Sequence, residues 1–248
     1  MIGGIRLQLL AVYRWHYGVM TTVLFGLVAM VPIGAAAATG GHAHPAGIVL
    51  AVLDGIHRGS ALPVVIRWTA LAGLALFLVS RVAEEPAAHA TTLILPRMRS
   101  RVRWWASRVT AITMLTGVYT AWLVAVTLGV SRVLTRSATS IGGHHSLLLA
   151  AGQFWGGLLT MGLAMTVVRA WLRAPLMVYW GGMVANYVTA ELYVQGLLGR
   201  LWTPLAYPSV ATVTARSAPL GWPWTVEVAV FLVGNLVWLV IDGFQDVN

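Results

Sequence analysis

Long apolar runs, repeated along a chain of 248 residues and separated by short polar connections, limit what this protein can fold into more than any other feature. The runs 18–38, 62–80, 109–130, 146–168, 175–198 and 225–241 each come close to the ~20 residues that an α-helix needs to cross a bilayer. Only 9% of the residues are charged and 58% are hydrophobic, whereas a soluble domain carries about 25% charged residues. A chain of this length cannot bury that much apolar surface within itself, so lipid must solvate much of it. In lipid every backbone polar group has to be satisfied internally, which selects helices. The expected fold is therefore all-α. It is a polytopic membrane protein with six transmembrane helices, forming a single transmembrane domain over 1–248.

The connections refine this picture. Residues 1–17 mix apolar side chains with Arg6, Gln8, Arg14 and His16, which suits a helix lying in the membrane interface or the wet start of the first span. The run 48–53 is too short to cross and is expected to be an interfacial or re-entrant piece on the outside. Pro175 opens the fifth span at a position proline favours. Residues 199–224 carry Pro204, Pro208, Pro219 and Pro223 among Trp202, Trp222 and Trp224, so a broken or re-entrant segment in the aromatic belt is expected before the last span.

All sixteen basic residues are arginines. Six of them fall in the stretch 81–108, together with Glu84 and Glu85, between the second and third spans. Six spans put both termini on one side. Placing them inside leaves ten arginines in inner segments against five outside, the bias expected of a chain in a bacterial plasma membrane with cytoplasmic termini. The sequence pI near 11 has the same origin, so no nucleic-acid partner is expected. The absence of cysteine excludes disulfides, thiol nucleophiles and cysteine-held metals. No cleavable signal peptide is expected, because the first apolar run is long and no processing site follows a short core.

This layout resembles the type-2 ABC exporter permeases, the membrane halves of bacterial drug, lantibiotic, polysaccharide and haem exporters. In that family the loop after span two carries an acidic residue, a threonine-containing stretch, Leu-x-Pro and a basic aromatic segment. Here the corresponding residues are Glu84-Glu85, Thr91-Thr92, Leu93 to Pro96, and Arg97 to Arg108 with Trp104-Trp105. The opening RLQLLAVYRWHYG is similar to small actinobacterial drug-export permeases, including the fluoroquinolone-export type. The family's Glu-x-Gly-Thr core is absent, and Pro86 to Ala90 fill that space.

The resemblance implies a cytoplasmic coupling helix within 86–101, seated in a cleft of a separate ABC ATPase subunit. The docking residues it points to are Glu84, Glu85, Thr92, Pro96, Arg97, Arg99, Arg101 and Arg103. Arginines there offer bidentate contacts to carboxylates of a soluble partner; alternatively they fix topology and touch anionic lipid. A chain without lysine has no GxxxxGK[ST] phosphate loop. ATP and Mg would accordingly sit on the partner subunit, with no cofactor, metal or catalytic residue in this chain. A second permease half, identical or paralogous, is implied as well.

Ionisable groups within spans are expensive and point to function by default. Arg67, Glu191 and Glu227 all lie roughly 20 to 24 Å from the inner ends of their spans, counted at about 1.5 Å per residue. Arg67 is thus placed to pair with Glu191, with Glu227 or with both. Tyr187, Glu191 and Gln195 recur every fourth residue and form a polar stripe, flanked by Asn186 and Tyr193. This group is either a pathway-facing cluster or a structural ion pair between spans. The histidines at 42, 44, 57, 144 and 145 fall in outer connections, which argues against metal or haem.

Two other functions share these features. A non-catalytic anchor or assembly subunit of another membrane complex explains the charged loop equally well. A lipid-modifying membrane enzyme would have to rely on Glu84, Glu85 and His89, which form no catalytic pattern.

Overall fold

The computed structural model describes residues 45–53, 62–85, 101–135, 144–172, 175–197 and 234. These are helical, with no strand among the described residues. The helices are α1 (Pro45–Leu53), α2 (Leu62–Glu85), α3 (Arg101–Thr135), α4 (His144–Leu172) and α5 (Pro175–Val194). The expected spans 18–38 and, apart from Gly234, 225–241 lie outside the described residues, as do the helix 1–17, the segment 199–224 and Glu227.

Local chemistry sets several helix ends. Helix α2 continues five residues past Ser80 and stops at Glu85, because Pro86 disfavours helical geometry in the residue before it. Pro175 is the first residue of α5, where its missing N–H costs nothing. The other end of α5 closes four residues short of Leu198. The N–H of Leu197 bonds the carbonyl of Leu192 (2.9 Å) and that of Gly196 bonds Tyr193 (2.9 Å). Gly196 holds φ at +79°, the left-handed turn this cap requires.

One described helix is long and apolar enough to cross a membrane, α3 over Ala106–Val133. Only 39% of its most apolar stretch is buried by the rest of the chain, and Met114, Val118 and Val133 are exposed. Hydroxyls within the helix are satisfied locally: Thr110, Thr116, Thr120 and Thr127 each donate to the carbonyl four residues back, at 2.7–2.9 Å.

Packing orders the helices around a central pair. Helices α2 and α4 touch each other, and each also touches α3 and α5, so α3 and α5 flank the pair on opposite sides. The largest buried cluster joins the first half of α2 (Val65 to Ala75), the second half of α3 (Tyr119, Leu123), the first half of α4 (Ala150 to Leu158) and the end of α5 (Ala190, Tyr193). Two smaller clusters join the complementary halves: Leu78 and Val79 with Ala111 and Ile112, and Leu76 with Met165 and Val178. Successive helices therefore run antiparallel, α2 through α5.

Helix α1 packs on α3 and α4. Its Ile48, Val49, Val52 and Leu53 are completely buried, so this short run is a plug of the main core rather than a surface element. Gly162 sits where α4 meets α2 and α3. A Cβ there would lie 3.2 Å from Val79 and 3.4 Å from Ile112.

Candidate functional site

The antiparallel order brings distant segments to one end of the bundle. Helix α2 leaves the core at Glu85, α3 enters at Arg101, α4 finishes at Leu172 and α5 begins at Pro175. The backbone positions of Arg81, Glu84, Glu85, Arg101, Arg103 and Arg169 therefore cluster at that end. Thr92, Pro96, Arg97 and Arg99 lie outside the described residues. Arg108, about two turns into α3, is buried at the base of the bundle.

Arg67 and Glu191 occupy the opposite end. They sit on the packed helices α2 and α5, beside the main core cluster. Both are partly buried, and Glu191 Oε2 accepts no hydrogen bond among the described residues. Tyr187 packs partly buried against the main core. Gln195 belongs to the turn that closes α5 and is exposed. The carbonyl of Glu191 accepts the Gln195 N–H at 3.0 Å.

The two seams of α2 differ in how their polar groups are met. Toward α3, the buried hydroxyl of Tyr119 donates to the carbonyl of Leu71 at 2.8 Å. Nearby, Trp155 of α4 donates its indole N–H to Thr116 Oγ1 (3.1 Å) and to the Thr113 carbonyl (3.3 Å) on α3. Trp68 and Phe154 meet edge to face at 5.1 Å, an arrangement that adds about 0.5–1.5 kcal/mol beyond burial.

Toward α5, Tyr179 donates to the carbonyl of Gly73 at a longer 3.3 Å. At Gly73 an added Cβ would meet the flexible end of the Met183 side chain, which would have to turn aside.

Beside this second seam a cleft of about 370 Å³ opens between α4 and α5, with Leu76 of α2 also lining it. Its lining is apolar except for Asn186 and Thr189. The Thr189 hydroxyl donates to the Asn186 carbonyl at 3.0 Å. Asn186 is only 4% exposed, and neither its Oδ1 nor its Nδ2 has a hydrogen-bond partner among the described residues. Gln153 Oε1 on α4 is likewise buried and unmet. Sequence reasoning registered Asn186 only as a neighbour of the Tyr187–Glu191 stripe. An amide in an apolar run was the available signal; its lack of a partner needed the packing.

No protein-family model matches the chain, and no curated protein matches it in sequence.

Proposed function

We propose that this chain is the membrane-spanning permease subunit of an ATP-driven ABC exporter. It spans the bacterial plasma membrane six times with both termini cytoplasmic, and it moves a lipophilic or amphipathic compound out of the cell. A separate ABC ATPase subunit, carrying ATP and Mg, docks on 81–108, and a second permease half completes the pathway.

The observation that carries this reading is the gathering of the charged segments at one end of an apolar antiparallel bundle. The segment 86–100 joins the end of α2 to the start of α3, at the end of the bundle where α4 finishes and α5 begins. A push on that segment bears on the ends of both α2 and α3, and α2 touches every other helix of the four-helix set. Nucleotide-driven movement of a docked subunit would thus reach the flanking helices through their central partner. The arginines at 97, 99, 101 and 103 supply the planar, always-charged groups suited to carboxylates on such a subunit.

The test is purification of the tagged chain from its native host in nanodiscs. A stoichiometric soluble ATPase subunit and vanadate-sensitive ATP hydrolysis are expected. Both should be lost when Arg97, Arg99 and Arg101 are changed to Glu. Recovery of the chain alone, or with other membrane subunits and no ATPase, overturns the exporter reading and leaves an anchor role in its place.

A further inference from the structure

We infer that the cleft between α4 and α5 is a binding site for a largely apolar molecule bearing one amide-like donor–acceptor group, and that Asn186 is its polar anchor. The cleft's volume of about 370 Å³ falls in the range of small-molecule sites, about 300–1,000 Å³. Leu76, Met161, Met165 and Met177 contribute to its walls. Methionine side chains are unbranched and polarizable, so they repack around differently shaped apolar guests.

Asn186 makes this more than an oily groove. Burying an amide without partners is costly, and the cost grows where no water can reach. Asn186 lies 11 residues into α5, about 16 Å along a helix that rises ~1.5 Å per residue. In the proposed topology that is close to the middle of a bilayer core ~30 Å thick. Leucine would serve the empty fold better at this position.

An asparagine amide presents an acceptor and a donor side by side. A primary amide or lactam matches both in one reciprocal pair, and χ2 of asparagine is soft enough to turn that edge into the cleft. A hydrocarbon leaves both atoms unmet. An ionised carboxylate answers only Nδ2 and brings a charge to the midplane. A phospholipid cannot bring its headgroup so deep. The cleft extends from Met177 to Thr189 along α5, so the ligand would lie in the cytoplasmic leaflet with its polar group innermost. Binding itself does not depend on the exporter reading; naming this ligand class as the exported substrate does.

The probe is a diazirine-bearing long-chain primary amide, photolysed with the purified full chain in nanodiscs and mapped by peptide mass spectrometry. Label is expected on 161–168 and 177–189, displaced by the unlabelled amide and not by the matched hydrocarbon. Asn186→Leu should lower labelling roughly tenfold, since two buried hydrogen bonds are lost, without loss of helix content by circular dichroism. Gly181 has no heavy atom within 4 Å of an added Cβ, so Gly181→Phe should fill the cleft and abolish labelling in a folded protein.

Equal competition by the hydrocarbon, or unchanged labelling in Asn186→Leu, overturns the proposal. So does ligand-independent crosslinking of Ala185→Cys between chains, which would show a second copy covering the cleft; the native chain has no cysteine to confuse that readout. Labelling without a co-purifying ATPase keeps the site and removes the exporter. An ATPase without labelling does the reverse.

Discussion

The seams that α3 and α5 make with the central pair meet their polar groups differently. Where α3 packs, Tyr119 bonds the Leu71 carbonyl of α2 at 2.8 Å and Trp155 of α4 bonds Thr116 at 3.1 Å, beside the Trp68–Phe154 contact of α2 with α4. Where α5 packs, Phe77 and Tyr179 also meet edge to face, at 5.7 Å, but the tyrosine bond to Gly73 is longer at 3.3 Å and the Asn186 amide has no partner among the described residues. In lipid, helices gain little from apolar burial alone, and close packing with satisfied polar groups decides how firmly they associate. The α3 seam should therefore behave as the rigid part of the bundle and the α5 seam as the part that adapts.

Four substitutions would break or sharpen this contrast. The largest effect is expected at Phe154, fully buried between Trp68 and Tyr119. Phe154→Ala should cost about 3–5 kcal/mol, read as the shift in an SDS unfolding titration. Met161→Ala beside the cleft should cost far less, and equal costs would erase the distinction. Next is overpacking. Gly162→Leu drives atoms into Val79 and Ile112 and should lose about 1–3 kcal/mol, whereas Gly181→Leu, with open space around it, should leave the melting temperature in detergent nearly unchanged.

The hydroxyls give a finer comparison. Tyr119→Phe should cost about 1 kcal/mol and Tyr179→Phe only a few tenths, and amide exchange near Leu71 should rise more than near Gly73. A reversed order would place the firm seam on the α5 side. The smallest effect has the opposite sign. Asn186→Leu should stabilise the empty protein by roughly 0.5–1 kcal/mol, because it removes a buried amide that has no partner among the described residues. A drop in thermal stability of the ligand-free protein would mean that the amide has a structural partner.

Much of the secondary structure was legible beforehand, for reasons visible residue by residue. Apolar runs near the length of a bilayer crossing, with so few charges, leave the backbone no alternative to helix. Pro86 and Pro175 mark helix ends by their own stereochemistry, and Gly196 supplies a turn that other residues adopt with strain. The concentration of arginine in 81–108 was likewise visible as a string of letters. Of the polar stripe, Tyr187 and Glu191 lie on α5 and Gln195 in its closing turn, where its N–H bonds the Glu191 carbonyl four residues back at 3.0 Å.

Sequence alone thus determined the all-α class of the described residues and the helical state of their apolar runs, because the hydrophobic effect and the demands of the backbone act on local composition. Only the tertiary structure decided that α2 and α4 are central, that the nine-residue α1 is a buried plug, and that Asn186 has no side-chain partner among the described residues. The physical reason is that lipid and protein interior are equally apolar. A helix facing either has the same residues all round, so periodicity does not say which face packs, and partner choice rests on glycines, hydroxyls and ring edges whose neighbours come from remote parts of the chain.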